Sequence, residues 1–186
     1  MKFALGKKLG MTTIYNEDGA QNVTLVEIEA NKIDLVRNAE RDGYDAVRVS
    51  APKTTKKDVK VEFRAQSTED LIEGKEITAD VFSIGDTVQV SAVAKGKGFQ
   101  GVVKRHGFKG GPASHGHRHA LRSPGSIGSA FPQHVIKGKR MAGRMGGKRA
   151  TSMGIQVVSV DSHAGIIALR GPVPGVSGRM VEIVSQ

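Results

Sequence analysis

From Asn22 to Glu29 the chain alternates, with Thr24, Val26 and Ile28 on one side and Leu25, Glu27 and Glu29 on the other. That two-residue period predicts a half-buried β-strand. Tyr44 to Ala51 is a second strand candidate. Thr87 to Ala92 alternates more clearly, setting Val88, Val90 and Ala92 against Gln89 and Ser91 just after the turn signal Gly85-Asp86. After a long interruption, Ile155 to Val160, Ile166 to Arg170 and Arg179 to Val184 resume the β-branched pattern. They are separated by Ser162-His163-Ala164-Gly165 and by Gly171-Pro172-Val173-Pro174-Gly175. Short strands at this spacing predict a mainly β fold, with a small β-barrel as its body. Helix signals are few: Ser67-Thr68-Glu69-Asp70 offers a cap and an acidic first turn, but Gly74 stops the segment almost at once.

The interruption differs in kind from the strands around it. Residues 94–150 hold 13 Gly in 57 positions, show almost no alternation and carry few large apolar side chains. The chain is therefore expected to divide into a discontinuous β-barrel body, residues 1–93 and 151–186, and a long Gly-rich extension, residues 94–150. Such an extension buries too little surface to offset the entropy of ordering itself, so alone in water it should move. Loops of this length inside a compact domain are uncommon unless they are functional or disordered.

Charge sharpens the picture. Between Thr87 and Val160 lie 13 Lys and Arg, five of the six His, and no Asp or Glu, whereas residues 1–86 hold 13 basic and 16 acidic side chains. The whole net charge of +10 thus comes from the stretch that contains the extension. Like charge on that scale either repels itself into disorder or is held by a polyanion, which makes nucleic acid the leading partner. With 186 residues, 38% of them apolar, one modest core is within reach. The absence of Cys removes disulfides and thiolate metal sites. The start of the chain is broken by Gly6, Lys7 and Lys8 before any hydrophobic segment builds up, and no apolar run reaches membrane-spanning length. A cytoplasmic protein with no membrane partner is the expectation.

Four motifs admit a chemical reading. Gly96-Lys97-Gly98-Phe99-Gln100-Gly101 has the form of a dinucleotide fingerprint, but further Gly soon interrupt the residues C-terminal to it. The next acid, the candidate ribose partner, is as far away as Asp161. The Gly are better suited to tight turns and close backbone contact. His115-Gly116-His117-Arg118-His119 could set three imidazoles on one side of an extended segment and hold a metal. With no Cys or carboxylate nearby, and with Arg118 and Arg122 adding repulsion, hydrogen bonding to or stacking on RNA fits better than zinc, and a plain solvated loop remains open. Ser123 or Ser126 beside a His lacks the orienting acid of a triad. Lys137, Lys139, Arg140, Arg144, Lys148 and Arg149 form a basic group with no acid among them. Aromatic residues make up 4% of the chain and Trp is absent, which argues against a single-strand stacking platform and for phosphate contact with folded RNA.

Taken in order, Lys95-Gly96-Lys97-Gly98-Phe99-Gln100-Gly101, Lys104-Arg105-His106-Gly107-Phe108, His115-Gly116, Arg122-Ser123-Pro124-Gly125-Ser126-Ile127-Gly128 and Lys137-Gly138-Lys139-Arg140-Met141-Ala142-Gly143 resemble the ribosomal protein L3 family of the bacterial type. The likeness extends to Gly6-Lys7-Lys8-Leu9-Gly10-Met11-Thr12, to Asp42-Gly43-Tyr44-Asp45-Ala46 and to Gly171-Pro172-Val173-Pro174-Gly175, so nearly the whole chain takes part. It implies a non-catalytic structural constituent of the large ribosomal subunit. In that role the protein binds ribosomal RNA and adjoins neighbouring ribosomal proteins, supports early assembly, and reaches toward the peptidyl transferase region through its extension. The ribosome would be cytoplasmic or organellar, with neither cofactor nor small-molecule substrate. The implied RNA contacts are Lys95, Lys97, Lys104, Arg105, His106, Arg122, Ser126, Lys137, Lys139 and Arg140. The basic and imidazole pattern adds Lys109, His115, His117, Arg118, His119, Arg144, Lys148 and Arg149. Bacterial relatives often carry a methylatable Gln where this chain has Arg144, and a guanidinium there suits direct phosphate contact. The connection from Pro52 to Phe63 looks shorter than is usual in the family.

Overall fold

The computed structural model describes residues 2–16, 19–54, 57–65 and 71–186. The predicted helix start at Ser67-Thr68-Glu69-Asp70 lies outside the described residues. The structure is mainly β with little helix, and it divides into two compact units, Met1–Ala94 with Arg149–Gln186, and Lys95–Lys148. Its strands are β1 Phe3–Asn16, β2 Gly19–Glu27, β3 Asn31–Arg37, β4 Ala46–Thr54, β5 Lys57–Arg64, β6 Glu76–Ile77, β7 Thr87–Val93, β8 Phe99–Gln100, β9 Gly143–Arg144, β10 Arg149–Asp161, β11 Ile166–Arg170 and β12 Met180–Ser185. Among the described residues there are two α-helices, of four and five residues, α1 Ala39–Asp42 and α2 Val102–His106.

In the first unit, six antiparallel strands close into a ring in the order β1-β12-β7-β10-β11-β2. Closure depends on two long strands that change partners along their length. β1 pairs with β12 from Phe3↔Val184 to Lys7↔Met180, and with β2 from Lys7↔Glu27 to Asn16↔Gly19. β10 pairs with β7 from Arg149↔Val93 to Gln156↔Thr87, and then with β11 from Val157↔Leu169 to Asp161↔Ile166. The register of β10 against β7 shifts between Ser152 and Ile155, where Gly154 takes φ +70°. A bulge of that kind bends the strand and increases its twist, as a closing sheet requires.

A second sheet, β5-β4-β3-β6, covers the outside of β1. Phe3 of β1 stacks on Phe63 of β5, with ring centroids 5.1 Å apart, and both belong to one core with Leu5, Ile33, Val49, Val88, Ile167 and Ile183. Covered on both faces, the first half of β1 has no polar side, and Phe3, Ala4, Leu5 and Gly6 are all buried. Gly6 is needed for this, because a Cβ there would lie 2.4 Å from Cγ1 of Val26. The second sheet carries ion pairs on its outer surface. Asp34 accepts from Arg48 at 2.7 Å and from Lys60 at 3.0 Å, and the bond from Lys60 holds its carboxyl below the ordinary value. A link from Lys2 to Asp86 ties the start of the chain to the turn before β7 and lowers the Asp86 carboxyl likewise.

At the seam between β1 and β3, the fully buried Asn31 side chain bonds both backbone groups of Leu5. Its Oδ1 accepts the Leu5 N–H at 3.0 Å, and its Nδ2 donates to the Leu5 carbonyl at 2.9 Å and to that of Glu29 at 2.7 Å. Asn31→Ala leaves these groups unpaired away from water, at about 1–3 kcal/mol for each one stranded. The expected outcome is a loss of at least about 2 kcal/mol in urea unfolding with an unchanged m-value.

Candidate nucleic-acid interface

The second unit contains a single buried apolar side chain among the described residues, Val102, so backbone contacts and glycine turns shape it more than a core does. Its frame is the two-stranded ribbon of β8 and β9, pairing Phe99 with Arg144 and Gln100 with Gly143. The ribbon is prolonged by the Lys97 N–H donating to the Met145 carbonyl and the Met145 N–H donating to that of Gly98, both at 2.9 Å. Gly146, at φ +70°, lets the chain turn back on itself; a Cβ there would stand 2.0 Å from the Lys95 carbonyl oxygen. Close backbone approach, expected from the glycines, here brings the chain against itself.

A short helix comes after the Gly96–Gly101 motif. It is α2, five residues long, ended by Gly107 in the left-handed region at φ +72°. Lys104, Arg105 and His106 fill its last turn, where positive charge suits the carbonyl end of a helix. A single turn with no acid before Asp161 gives no support to a dinucleotide site. Arg105 and His106 are half-buried and turn inward to one acceptor. Nη1 of Arg105 donates to the Met141 carbonyl at 2.6 Å, and Nε2 of His106 lies 3.1 Å from the same oxygen. Gly143 leaves room for the guanidinium, since a Cβ there would be 2.8 Å from Nη1.

The imidazole group sits on a closed loop. The Gly111 N–H is shared between the carbonyls of Ala120 and Leu121, each at 3.2 Å, and a Cβ on Gly110 would lie 2.0 Å from the Leu121 oxygen. Between these ends the chain runs through turns, with His115 at φ +59°, so His117 and its neighbours do not form the extended segment that would align three imidazoles. Among the described residues no three His, Asp or Glu gather as a metal set. The hydroxyls of Ser123 and Ser126 donate to the carbonyls of Ala120 and Gly128, at 2.9 and 2.7 Å, and neither bonds an imidazole among the described residues.

The remaining candidates are displayed outward. Lys95, Lys97, Lys104, Lys109, His115, His117, Arg118, His119, Arg122, Ser126, Lys137, Lys139, Arg140, Arg144 and Lys148 are all exposed. Arg149 is the exception in kind. It opens β10 in the first unit and is ion-paired with Glu182 of β12, the one such pair made by the basic stretch among the described residues. Sequence reasoning passed over two aromatic side chains in the second unit, Phe99 and Phe131, which are 76% and 86% exposed. Phe99 stands opposite Arg144 in the ribbon, where a ring and a guanidinium share one face. The signal was present: in a segment with almost no core, a Phe has nowhere to be buried.

The model of the family described as Ribosomal protein L3 matches residues 53–168. The large ribosomal subunit protein uL3 of Alkaliphilus metalliredigens is 41% identical over 195 residues, covering 94% of this chain and 92% of the relative. Proteins of the same name from Aliivibrio fischeri and Vibrio cholerae are 40% and 38% identical, each covering 94% of this chain and 93% of the relative.

The pairing of Arg149 generates a test on the intact chain. Glu182→Gln frees a cation and should raise the salt concentration at which the protein leaves a heparin column. Arg144→Gln should lower it by more than Arg149→Gln does, because among the described residues Arg144 has no carboxylate partner to lose.

Proposed function

The chain belongs to the ribosomal protein L3 family, and we propose on that footing that it is a structural constituent of the large ribosomal subunit that binds ribosomal RNA through its basic unit. The family is one of structural proteins, not enzymes. The closed six-stranded ring serves as the small β-barrel body, and residues 94–150 serve as the RNA-penetrating extension. One observation carries the reading: in a unit with a single buried apolar side chain, eleven of the twelve Lys and Arg from Lys95 to Lys148 are exposed, with no acid among them. Phosphates supply what such a surface lacks. The body docks by shape, and the extension is neutralised and ordered as it meets RNA.

Roles within the extension then divide. Lys95, Lys97, Lys104, Lys109, Arg118, Arg122, Lys137, Lys139, Arg140, Arg144 and Lys148 contact phosphate, Arg144 by its two-pronged guanidinium. His115, His117, His119 and Ser126 contribute hydrogen bonds to RNA. Arg105 and His106 brace the extension through Met141 while presenting their outer edges, and Arg149 shares its charge with Glu182. Neighbouring large-subunit proteins complete the surroundings, and the ribosome is a cytoplasmic one, a reading that the bacterial relatives support. In that setting the extension supports early subunit assembly and buttresses the peptidyl transferase region.

If half of the 13 basic residues between Thr87 and Val160 engage phosphates, log affinity for ribosomal RNA should fall against log salt with a slope of about −5. In cells, the protein should sediment with large subunits after a high-salt wash. Arg140→Glu or Arg144→Glu, both at exposed positions, should slow large-subunit maturation while leaving the thermal unfolding of the body unchanged. Normal subunit profiles in cells relying on these variants would overturn the assignment.

A further inference from the structure

Two motifs from opposite ends of the chain meet in the body. Gly6-Lys7-Lys8 lies in β1, and Gly171–Gly175 belongs to the segment before β12. Lys8, only 9% exposed, turns its ammonium inward and donates to the carbonyls of Val173 at 2.6 Å and Gly175 at 3.3 Å. Its backbone completes the strap: the Lys8 N–H donates to the Arg179 carbonyl at 2.9 Å, and its own carbonyl accepts from the Gly178 N–H at 2.7 Å. Gly175, at φ +101°, sits against the Arg179 stem, which a Cβ would approach to 3.2 Å. Arg179 is thus fixed at its base.

Side chains alternate along a strand, so while Lys8 points in, Lys7 points out and is exposed. Lys7 and Arg179 stand on the wall of an open cavity of about 430 Å³, within the roughly 300–1,000 Å³ of pockets that enclose small organic groups. The β4–β5 hairpin forms another wall, supplying Lys53 and Val61, and Met180 adds further apolar surface. The carboxylate in this lining, that of Glu182, is already engaged by Arg149. None of Lys7, Lys53 and Arg179 is in an ion pair among the described residues.

We propose that this cavity is a second RNA site, on the body, that seats one unpaired nucleotide. Its base lies against Val61 and Met180, and the flanking phosphates meet Lys7, Lys53 and Arg179. Three cations outside any ion pair among the described residues, around an apolar wall, complement a phosphodiester on either side of a flat, apolar-faced base, the form in which proteins take unpaired RNA nucleotides. The inference rests on the reading of the chain as an RNA-binding protein, and it adds a site that the extension does not contain.

The test uses the full chain and a large-subunit RNA transcript carrying 4-thiouridine. Lys7→Gln, Lys53→Gln and Arg179→Gln are made singly and together, with far-UV circular dichroism to verify the fold. The triple variant should reduce the magnitude of the salt slope by about two to three, close to one for each phosphate no longer neutralised. Irradiation of the wild-type complex should cross-link the RNA to the 176–182 segment or to the 53–61 hairpin. A triple variant with the wild-type slope, or RNA cross-links confined to residues 95–148, would overturn the site, as would a protein segment found in the groove in purified subunits. Failure of the wild-type chain to bind the transcript would instead overturn the RNA-binding reading from which the proposal proceeds.

Discussion

Mutual repulsion among cations is the constraint on which the rest of this molecule depends. Thirteen Lys and Arg between Thr87 and Val160 have no acid in their own stretch, and among the described residues only Arg149 reaches one elsewhere. A core of many apolar side chains could hold such a segment against its own charge, but the second unit buries one. Its path is defined locally: by glycines at Gly110, Gly143 and Gly146, where a side chain would strike a carbonyl or a guanidinium, and by Arg105 and His106 meeting at Met141. Those contacts specify a shape more than they stabilise one. The missing stabilisation is electrostatic, and it has to come from a partner rich in negative charge.

The first unit solves the opposite problem. Its charges are nearly balanced, and many are spent on itself, as in Asp34 with Arg48 and Lys60, or Asp86 with Lys2. Its apolar residues form one core shared by the closed ring and the covering sheet. Buried polar groups are few and fully employed: Asn31 locks β1 to β3, and Lys8 straps the 173–179 segment to β1. The two units therefore divide the labour. One folds on its own apolar surface, and the other displays charge.

Alternation was legible in the sequence, and β2 and β7 lie where it put them, with Thr24, Val26 and Ile28 all buried, while β11 lies where the β-branched run stood, with Ile167, Ala168 and Leu169 all buried. β1 escaped because both of its faces are covered near Phe3 and because Gly6 and Lys8, which look like strand breakers, serve packing and strapping there. β3 and β5 escaped for a different reason: Asp34, Lys60 and Glu62 suggest a loop until cross-strand pairing brings them to partners. In the basic unit, the exposure of the cations followed from charge alone. The inward turn of Arg105 and His106, and the pairing of Arg149, depend on Met141 and Glu182, more than 30 positions away in sequence, and no local pattern announces them.

If polyanion contact orders the extension, its backbone must be loose before that contact and firm after it. Hydrogen–deuterium exchange of the full chain, free and bound to large-subunit ribosomal RNA, measures this directly. The account predicts that residues 95–148 exchange at near-intrinsic rates in the free protein while β1, β7 and β10 stay protected, and that RNA binding protects Lys97 and Met145 in the ribbon. Amides of the extension already as protected without RNA as those of the ring would contradict it.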